Sequence, residues 1–275
     1  MVSTASAAIR LSLFIAWTLL CLVPYLLLMI LRAEGGLCLF YWRIVCRITG
    51  LNVAVFGQMT TERPALFVSN HVSYLDILVL GGLIRASFVA KSEVAGWPGI
   101  NIIARLGRTI FVERRPVRAA KQTGQLARRL LKGDSLIVFP EGTSTDGNRL
   151  MPFKSTLFSA AEIEINGQPV LVQPLTITYT RLNGMPMGRV LRPLYAWYGD
   201  MSLAPHLWKV LGLGQAQVEV EFHPPVRLTD YATRKGLALH CHRAVRHGLS
   251  RGLSGRRDEP VRTKAPQSAT VDAHG

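Results

Sequence analysis

Two residues able to relay a proton interrupt an apolar run. In FVSNHVSYLDILVL, residues 67–80, His71 and Asp76 stand among aliphatic and aromatic neighbours. Imidazole titrates near neutrality, and a carboxylate on one ring nitrogen fixes the tautomer and steadies the protonated ring. The other nitrogen is then free to take a proton from a substrate hydroxyl. The spacing sets a condition on this chemistry. Five residues subtend about 500° on an ideal helix, so positions 71 and 76 share no helical face. His71 must lie outside the helix and fold back for Asp76 to reach it, as a strand-to-helix corner allows. The bland alternative is a satisfied core histidine beside a helix-start aspartate, and local sequence leaves both readings standing.

The surrounding elements supply such a corner. LNVAVFG and PALFVSN are short apolar runs bounded by Gly, Pro and Asn, the pattern of buried strands, and DILVLGGLI reads as a helix. ASFVAK and TIFVER read as strands and GWPGINIIARLG as a short helix between them. Apolar positions at helical spacing predict a helix over 118–132. DSLIVFP reads as a strand, STLFSAAEIE as a helix, VLVQPLTITYT as a strand and QVEVEFHPPV as a half-buried strand. Strands alternating with helices predict an α/β fold, a mixed sheet flanked by helices.

The ends differ from this middle. Residues 11–31, LSLFIAWTLLCLVPYLLLMIL, carry no charge and lie between Arg10 and Arg32, a length suited to a hydrocarbon core. Pro24 permits a kinked helix that re-enters one leaflet as well as one that spans. The run is too long for a signal peptide and no A-x-A site follows it. Phe40, Tyr41 and Trp42 beside Arg43 and Arg47 suit a second helix at the membrane interface. More arginines follow the apolar run than precede it, which places the main domain on the cytoplasmic side. The expected organisation is a membrane-embedded helical anchor over 1–50, an α/β domain over 51–250, and a disordered basic tail over 251–275.

Composition narrows the partners. The chain has 275 residues, 49% of them apolar, and a formal net charge of +15. That charge favours an acidic partner: anionic lipid, an acidic carrier protein or nucleic acid. No nucleic-acid motif is present, and a hydrophobic anchor argues against that class. The basic stretch ERRPVRAAKQTGQLARRLLK reads as a solvated helix face or as a contact for anionic lipid or acyl carrier protein. The four cysteines match no zinc spacing and are too sparse for a disulfide framework.

NHVSYLD resembles the N-H-x4-D block of the glycerolipid acyltransferases, the group that contains lysophosphatidate acyltransferase. Three further stretches resemble that family's blocks in order: GRTIFVER with Gly107, Phe111 and Arg114; FPEGTS with Phe139, Pro140, Glu141, Gly142 and Thr143; and VQPLTITYT around Pro174. The resemblance implies transfer of a fatty acyl group from an acyl carrier protein or coenzyme A thioester to a lipid hydroxyl, without an acyl-enzyme. It implies His71 as general base and Asp76 as its orienting partner. Arg114, Glu141 and Gly142 would hold the acceptor head group, with Gly107, Phe111 and Thr143 in the same binding blocks and Lys91 as a further basic contact. A planar guanidinium binds phosphate or carboxylate bidentately. Read without the resemblance, Arg114 is a solvated charge at a strand end and Glu141 a neighbour of a helix cap.

One position departs from the family pattern. Ser144 stands where lysophosphatidate acyltransferases usually carry an arginine, so it brings no charge to a phosphate. LRPLYAWYGDMSLAPHLW, residues 191–208, resembles a stretch of the bacterial lyso-ornithine lipid O-acyltransferase branch, and so does FPEGTSTDGN. The resemblance points to lyso-ornithine lipid as acceptor, with lysophosphatidate as the alternative, and implies no metal or bound cofactor.

Two other signals carry little. GLSRG, residues 248–252, fits the hydrolase pattern G-x-S-x-G but has meaning only between a strand and a helix. His240, Cys241, His242 and His247 read as a basic helix end, because adjacent residues on a helix do not converge on one ion.

Overall fold

The computed structural model describes residues 2–30, 35–91, 109–112 and 119–257. A mixed sheet runs through residues 51–222 in the order β1 (Leu51–Phe56), β10 (Ala216–Phe222), β8 (Leu171–Leu182), β2 (Ala65–Ser69), β5 (Ser135–Val138), β3 (Ala86–Lys91) and β4 (Ile110–Val112). β2, β5, β3 and β4 are parallel, and β8 joins them parallel to β2; β10 pairs antiparallel with β8 and parallel with β1. A two-residue strand β9 (Met185–Pro186) turns back on the end of β8, and β6 (Glu164–Ile165) pairs with β7 (Gln168–Pro169) as a small hairpin. The parallel strands are apolar on both faces, as a sheet covered on both sides requires, and β2 and β5 are buried throughout. β10 alternates buried and half-buried residues, the pattern that QVEVEFHPPV carries in sequence.

Helices divide between the two faces. One face packs Phe67, Ile137, Ile177 and Val218 against α3 (Leu75–Gly81), the short α5 (Gly188–Leu191) and α6 (Leu203–Gly212). The other packs Leu66, Val68, Leu136 and Val172 against α4 (Ala119–Leu131) and α7 (Arg234–Ser254). The stretch predicted as a helix after Lys154 is a 3₁₀ helix, Ser155–Glu162. The helix predicted over GWPGINIIARLG lies outside the described residues.

α1 (Thr4–Ile30) starts earlier than the apolar run predicted, and its first turns belong to the α/β domain. The Ser3 amide donates to the Gly212 carbonyl at 2.8 Å, and the Arg10 guanidinium donates to the carbonyls of Leu211 and Leu213 at 3.2 and 2.7 Å. A cation there satisfies carbonyls that the end of α6 leaves open. Beyond Arg10 the helix leaves the domain: Leu13, Leu19, Leu20, Val23 and Leu27 are exposed, and Thr4–Leu28 is long and apolar enough to cross a membrane. α2 (Gly35–Ile48) returns along it. Trp17 donates to the Tyr41 carbonyl at 3.3 Å, Thr18 and Tyr41 hydroxyls meet at 2.9 Å, and Trp17 packs edge-on to Phe40. α2 then docks on α3 and leads into β1, so both ends of the helix pair lie on the domain.

The C-terminal reading needs correction at its boundary. α7 continues through Ser254, so residue 251 does not begin a tail. The Arg257 side chain is only 5% exposed, is paired with Glu219 at 3.2 Å and Glu221 at 3.5 Å, and donates to the Gly248 carbonyl at 2.7 Å. Two carboxylates on β10 supply the charge that holds this arginine. Ser250 lies within α7 rather than at a strand-to-helix turn, which removes the hydrolase reading. His240, Cys241, His242 and His247 lie along the same helix, and burial pushes the Cys241 thiol up to about 12.

Candidate active site

The parallel strands deliver the chemistry to one edge of the sheet. β2 ends two residues before His71, β5 ends three residues before Glu141, and β3 ends at Lys91. Because β2, β5 and β3 are parallel neighbours, these three exits lie side by side at the carboxyl ends, where open α/β sheets bind ligands. β4 exits there too, with Phe111 inside it. Gly107, Arg114 and the Lys91 side chain lie outside the described residues.

Asn70 pins the turn. Its side chain donates to the Ile177 carbonyl at 2.9 Å and accepts from the Ile177 amide at 2.8 Å, imitating one more residue of the β2–β8 ladder. His71 then turns off the strand, and the chain folds back as the spacing required. The His71 Nδ1 to Asp76 Oδ2 distance is 2.8 Å, and Oδ2 also accepts the amides of Val72 at 2.7 Å and Ser73 at 3.0 Å. Asp76 sits in the first turn of α3, where the helix dipole favours a carboxylate. Its side chain is 0% exposed, whereas that of His71 is 21% exposed. With Nδ1 held by Asp76, Nε2 is the ring nitrogen left for a substrate. The imidazole stacks on Phe139 at 4.1 Å, and Phe88 stacks on the same ring at 6.4 Å, so an aromatic pair from β3 and the β5 exit fixes the base from one side.

Glu141 differs from expectation. Its Oε1 accepts the His71 amide and its Oε2 the Met151 amide, each at 2.7 Å, and the residue is 1% exposed. Both oxygens are engaged by the protein's own backbone, so the carboxyl holds the His71 turn against the 141–151 loop rather than an acceptor head group. Burial pushes this carboxyl up to about 7; the two amides pull the other way and the Asp76 charge adds to the rise. Gly142 follows at φ 75°, a left-handed conformation that favours glycine, and its amide donates to the Phe139 carbonyl at 3.0 Å. Thr143 is exposed beside it. Thr145 donates to the His71 carbonyl at 3.0 Å, a second tie between the two loops.

The 192–198 segment packs against the turn that leads into α3. The Trp197 amide donates to the Val72 carbonyl at 3.0 Å, and the Ser144 hydroxyl donates to the Trp197 carbonyl. Tyr74 packs edge-on to Trp197 and meets His206 Nδ1 at 3.1 Å. Two contacts were invisible to sequence reasoning. One is Asn70 as a ladder mimic, which the N-H pair could have suggested. The other is Tyr179 of β8, whose hydroxyl donates to Asp76 Oδ1 at 2.9 Å across 103 residues of chain; no local signal marks it.

An α/β enzyme with a histidine held by a buried carboxylate at its strand ends is what this geometry defines. Residues 52–178 match the acyltransferase family. The lyso-ornithine lipid O-acyltransferase of Brucella abortus (strain 2308) is 46% identical over 221 residues, covering 79% of this chain and 83% of that protein. The protein of the same name from Rhizobium meliloti (strain 1021) is 44% identical over 221 residues, 78% of this chain and 76% of its own. The chain belongs to the acyltransferase family and is an acyltransferase. The crystal structure of the 1-acyl-sn-glycerophosphate acyltransferase PlsC from Thermotoga maritima shares the fold, with a TM-score of 0.66 over 93% of this chain and 96% of that one, at 20% identity.

Proposed function

We propose that this protein is a membrane-associated lysolipid O-acyltransferase that moves a fatty acyl group from an acyl carrier protein or coenzyme A thioester to the free hydroxyl of lyso-ornithine lipid. The observation that carries the catalytic part is the 2.8 Å contact between the partly exposed His71 ring and the buried Asp76. His71 Nε2 takes the proton of the acceptor hydroxyl as its oxygen attacks the thioester carbonyl. Asp76 steadies the imidazolium. Collapse of the tetrahedral intermediate breaks the carbon–sulfur bond, and the departing thiolate receives the proton from the ring. The products are an ester and a thiol, the histidine is regenerated, and no acyl-enzyme forms.

Substrate contacts are assigned by where the strands end. Phe111 is proposed to line the acyl or head-group path from β4, with Gly107 before that strand and Arg114 after it. Lys91 is proposed as a basic contact at the end of β3. Thr143 and Gly142 border the base from the 139–145 loop, and Glu141 positions that loop. For the acceptor, similarity to the two relatives supports lyso-ornithine lipid. The Ser144 hydroxyl, engaged by the Trp197 carbonyl, supports a head-group site without a phosphate-binding arginine at that position.

The helix pair supports a re-entrant anchor: α1 leaves the domain apolar and exposed, and α2 returns to it. Such a hairpin would hold the domain against one leaflet, the cytoplasmic one by the arginine distribution, where a lipid acceptor lies within reach. The test is an acceptor competition with purified protein in detergent, labelled acyl carrier protein thioester, and lyso-ornithine lipid and lysophosphatidate in parallel. Preferential labelling of ornithine lipid is expected. Preferential labelling of phosphatidate would overturn the acceptor assignment, and labelling of neither by folded protein would overturn the function.

A further inference from the structure

We propose that Tyr179 is a positioning residue for the base: its hydroxyl holds Asp76 from the side opposite His71 and sets the proton affinity of the His71–Asp76 pair. The proposal rests on the reading of His71 as the general base.

The two oxygens of Asp76 are used unequally. Oδ2 accepts from His71 Nδ1 and from the Val72 and Ser73 amides, while Oδ1 accepts from the Tyr179 hydroxyl at 2.9 Å. A wholly buried carboxylate depends on such donors, because no water replaces one that is lost.

Tyr179 is built to hold that direction. It is fully buried in β8, opposite Val218 of β10. Its carbonyl accepts the Arg192 Nε–H at 2.9 Å, and its ring stacks on Tyr195 at 5.8 Å and 19°. Arg192 is itself buried, donates to Asn148 Oδ1, and lies where a side chain on Gly147 would meet it at 3.2 Å. The 192–195 segment thus grips Tyr179 at its backbone and at its ring, leaving the hydroxyl aimed at Asp76. Burial first, and then the Asp76 charge, push the phenol well above its usual value, so it stays a donor and never becomes a second anion beside the carboxylate.

A donor on the carboxylate stabilises the unprotonated pair more than the protonated one, because the pair carries more negative charge before it takes up a proton. The other titratable groups that bear on this pair are Glu141, on the His71 turn, and Cys46 and Tyr74, which face Tyr179; all three stay in place when the hydroxyl is removed. Removing the hydroxyl therefore favours the protonated pair, and the acid limb of the kcat/KM profile moves to higher pH.

The experiment is the pH profile of acyl transfer for wild type, Tyr179→Phe and His71→Ala, each checked for folding by thermal unfolding. For Tyr179→Phe, an upward shift of the acid limb of about 0.5–1 pH unit is expected from the loss of one hydrogen bond to a charged group. Plateau kcat is expected to fall by no more than about tenfold, the lower end of what a hydrogen bond to a charged group is worth, because the hydroxyl acts only through Asp76. Replacing Tyr179 with 3-fluorotyrosine makes the phenol a stronger donor at nearly unchanged volume. Its acid limb moves to lower pH, and this sign carries the test if the phenylalanine variant fails to fold. Limbs that stay in place while activity or stability falls would reduce Tyr179 to packing and overturn the proposal with the base intact. Transfer retained by folded His71→Ala would overturn both the base and the role of Tyr179.

Discussion

Replacing Asp76 with asparagine separates the charge of this residue from its architecture. The carboxylate receives four donors: His71 Nδ1, the Val72 and Ser73 amides, and the Tyr179 hydroxyl. Asparagine keeps the shape but turns one oxygen into a donor. Three donors converge on Oδ2, so the amide oxygen must take that place and the NH2 must face Tyr179. The tyrosine hydroxyl can rotate and accept. The turn therefore survives, with a stability loss of about 1–3 kcal/mol from weakened hydrogen bonds. Catalysis fares worse, because a neutral amide offers the forming imidazolium no opposing charge. General-base assistance is worth about 10²–10⁴ in rate, and kcat is expected to fall a hundred- to a thousand-fold, about 3–4 kcal/mol of barrier. Because Asp76 is wholly buried, it touches no substrate, and KM for thioester and acceptor should change by less than about threefold if the residue makes no binding contact. The assay is initial-rate transfer of labelled acyl groups at saturating acceptor, with thermal unfolding of each preparation. A folded Asp76→Asn protein that keeps kcat within about fivefold of wild type would refute the claim that Asp76 supports a charged histidine.

Other substitutions probe the frame. The Glu141 carboxyl rises from 4.5 to about 7 on folding, so its contribution to stability is complete below about 4.5 and is lost as pH climbs through about 7. Glu141→Gln lacks this titration. Wild type should lose up to about 3 kcal/mol of unfolding free energy relative to the variant from pH 4.5 to 8, at about 1.4 kcal/mol per unit, and parallel stability curves would contradict this. Gly248→Ala would set a methyl 2.4 Å from Thr176 Oγ1 and 2.7 Å from His223 Cε1, where those two side chains already share a 2.8 Å hydrogen bond. Overpacking of that kind costs about 1–3 kcal/mol, read as a lower Tm. Arg10→Ala should lower Tm and expose the start of α1 to proteolysis, since it removes the donor that binds the Leu211 and Leu213 carbonyls; an unchanged digestion pattern would dissociate Arg10 from anchor docking.

Much of the fold is legible because its strands are short apolar runs with sharp polar boundaries. PALFVSN becomes β2 and DSLIVFP becomes β5, and their parallel pairing brings NHVSYLD and FPEGT together. The dyad is legible for a different reason: helical geometry forbids 71 and 76 from sharing a face, so only a fold-back could join them. What stays hidden depends on register and on buried polar pairing. Tyr179 reaches Asp76 only because β8 runs several residues past the end of β2. Glu141 reads as a head-group ligand until its two oxygens are seen on backbone amides. Arg10 looks like a charge bracketing a membrane helix, and Arg257 like part of a tail; each is fixed by carbonyls or carboxylates far along the chain.

The most direct measurement is transfer itself in the His71→Ala protein. Purified wild type and variant, matched for thermal unfolding and for detergent behaviour, would receive labelled acyl thioester and lyso-ornithine lipid. Label should pass to the lipid with wild type, and with His71→Ala the rate should fall by at least about 10², the usual worth of a general base. Transfer at the wild-type rate by the folded variant would contradict the assignment of His71 as the base that the strand ends and the buried Asp76 hold in place.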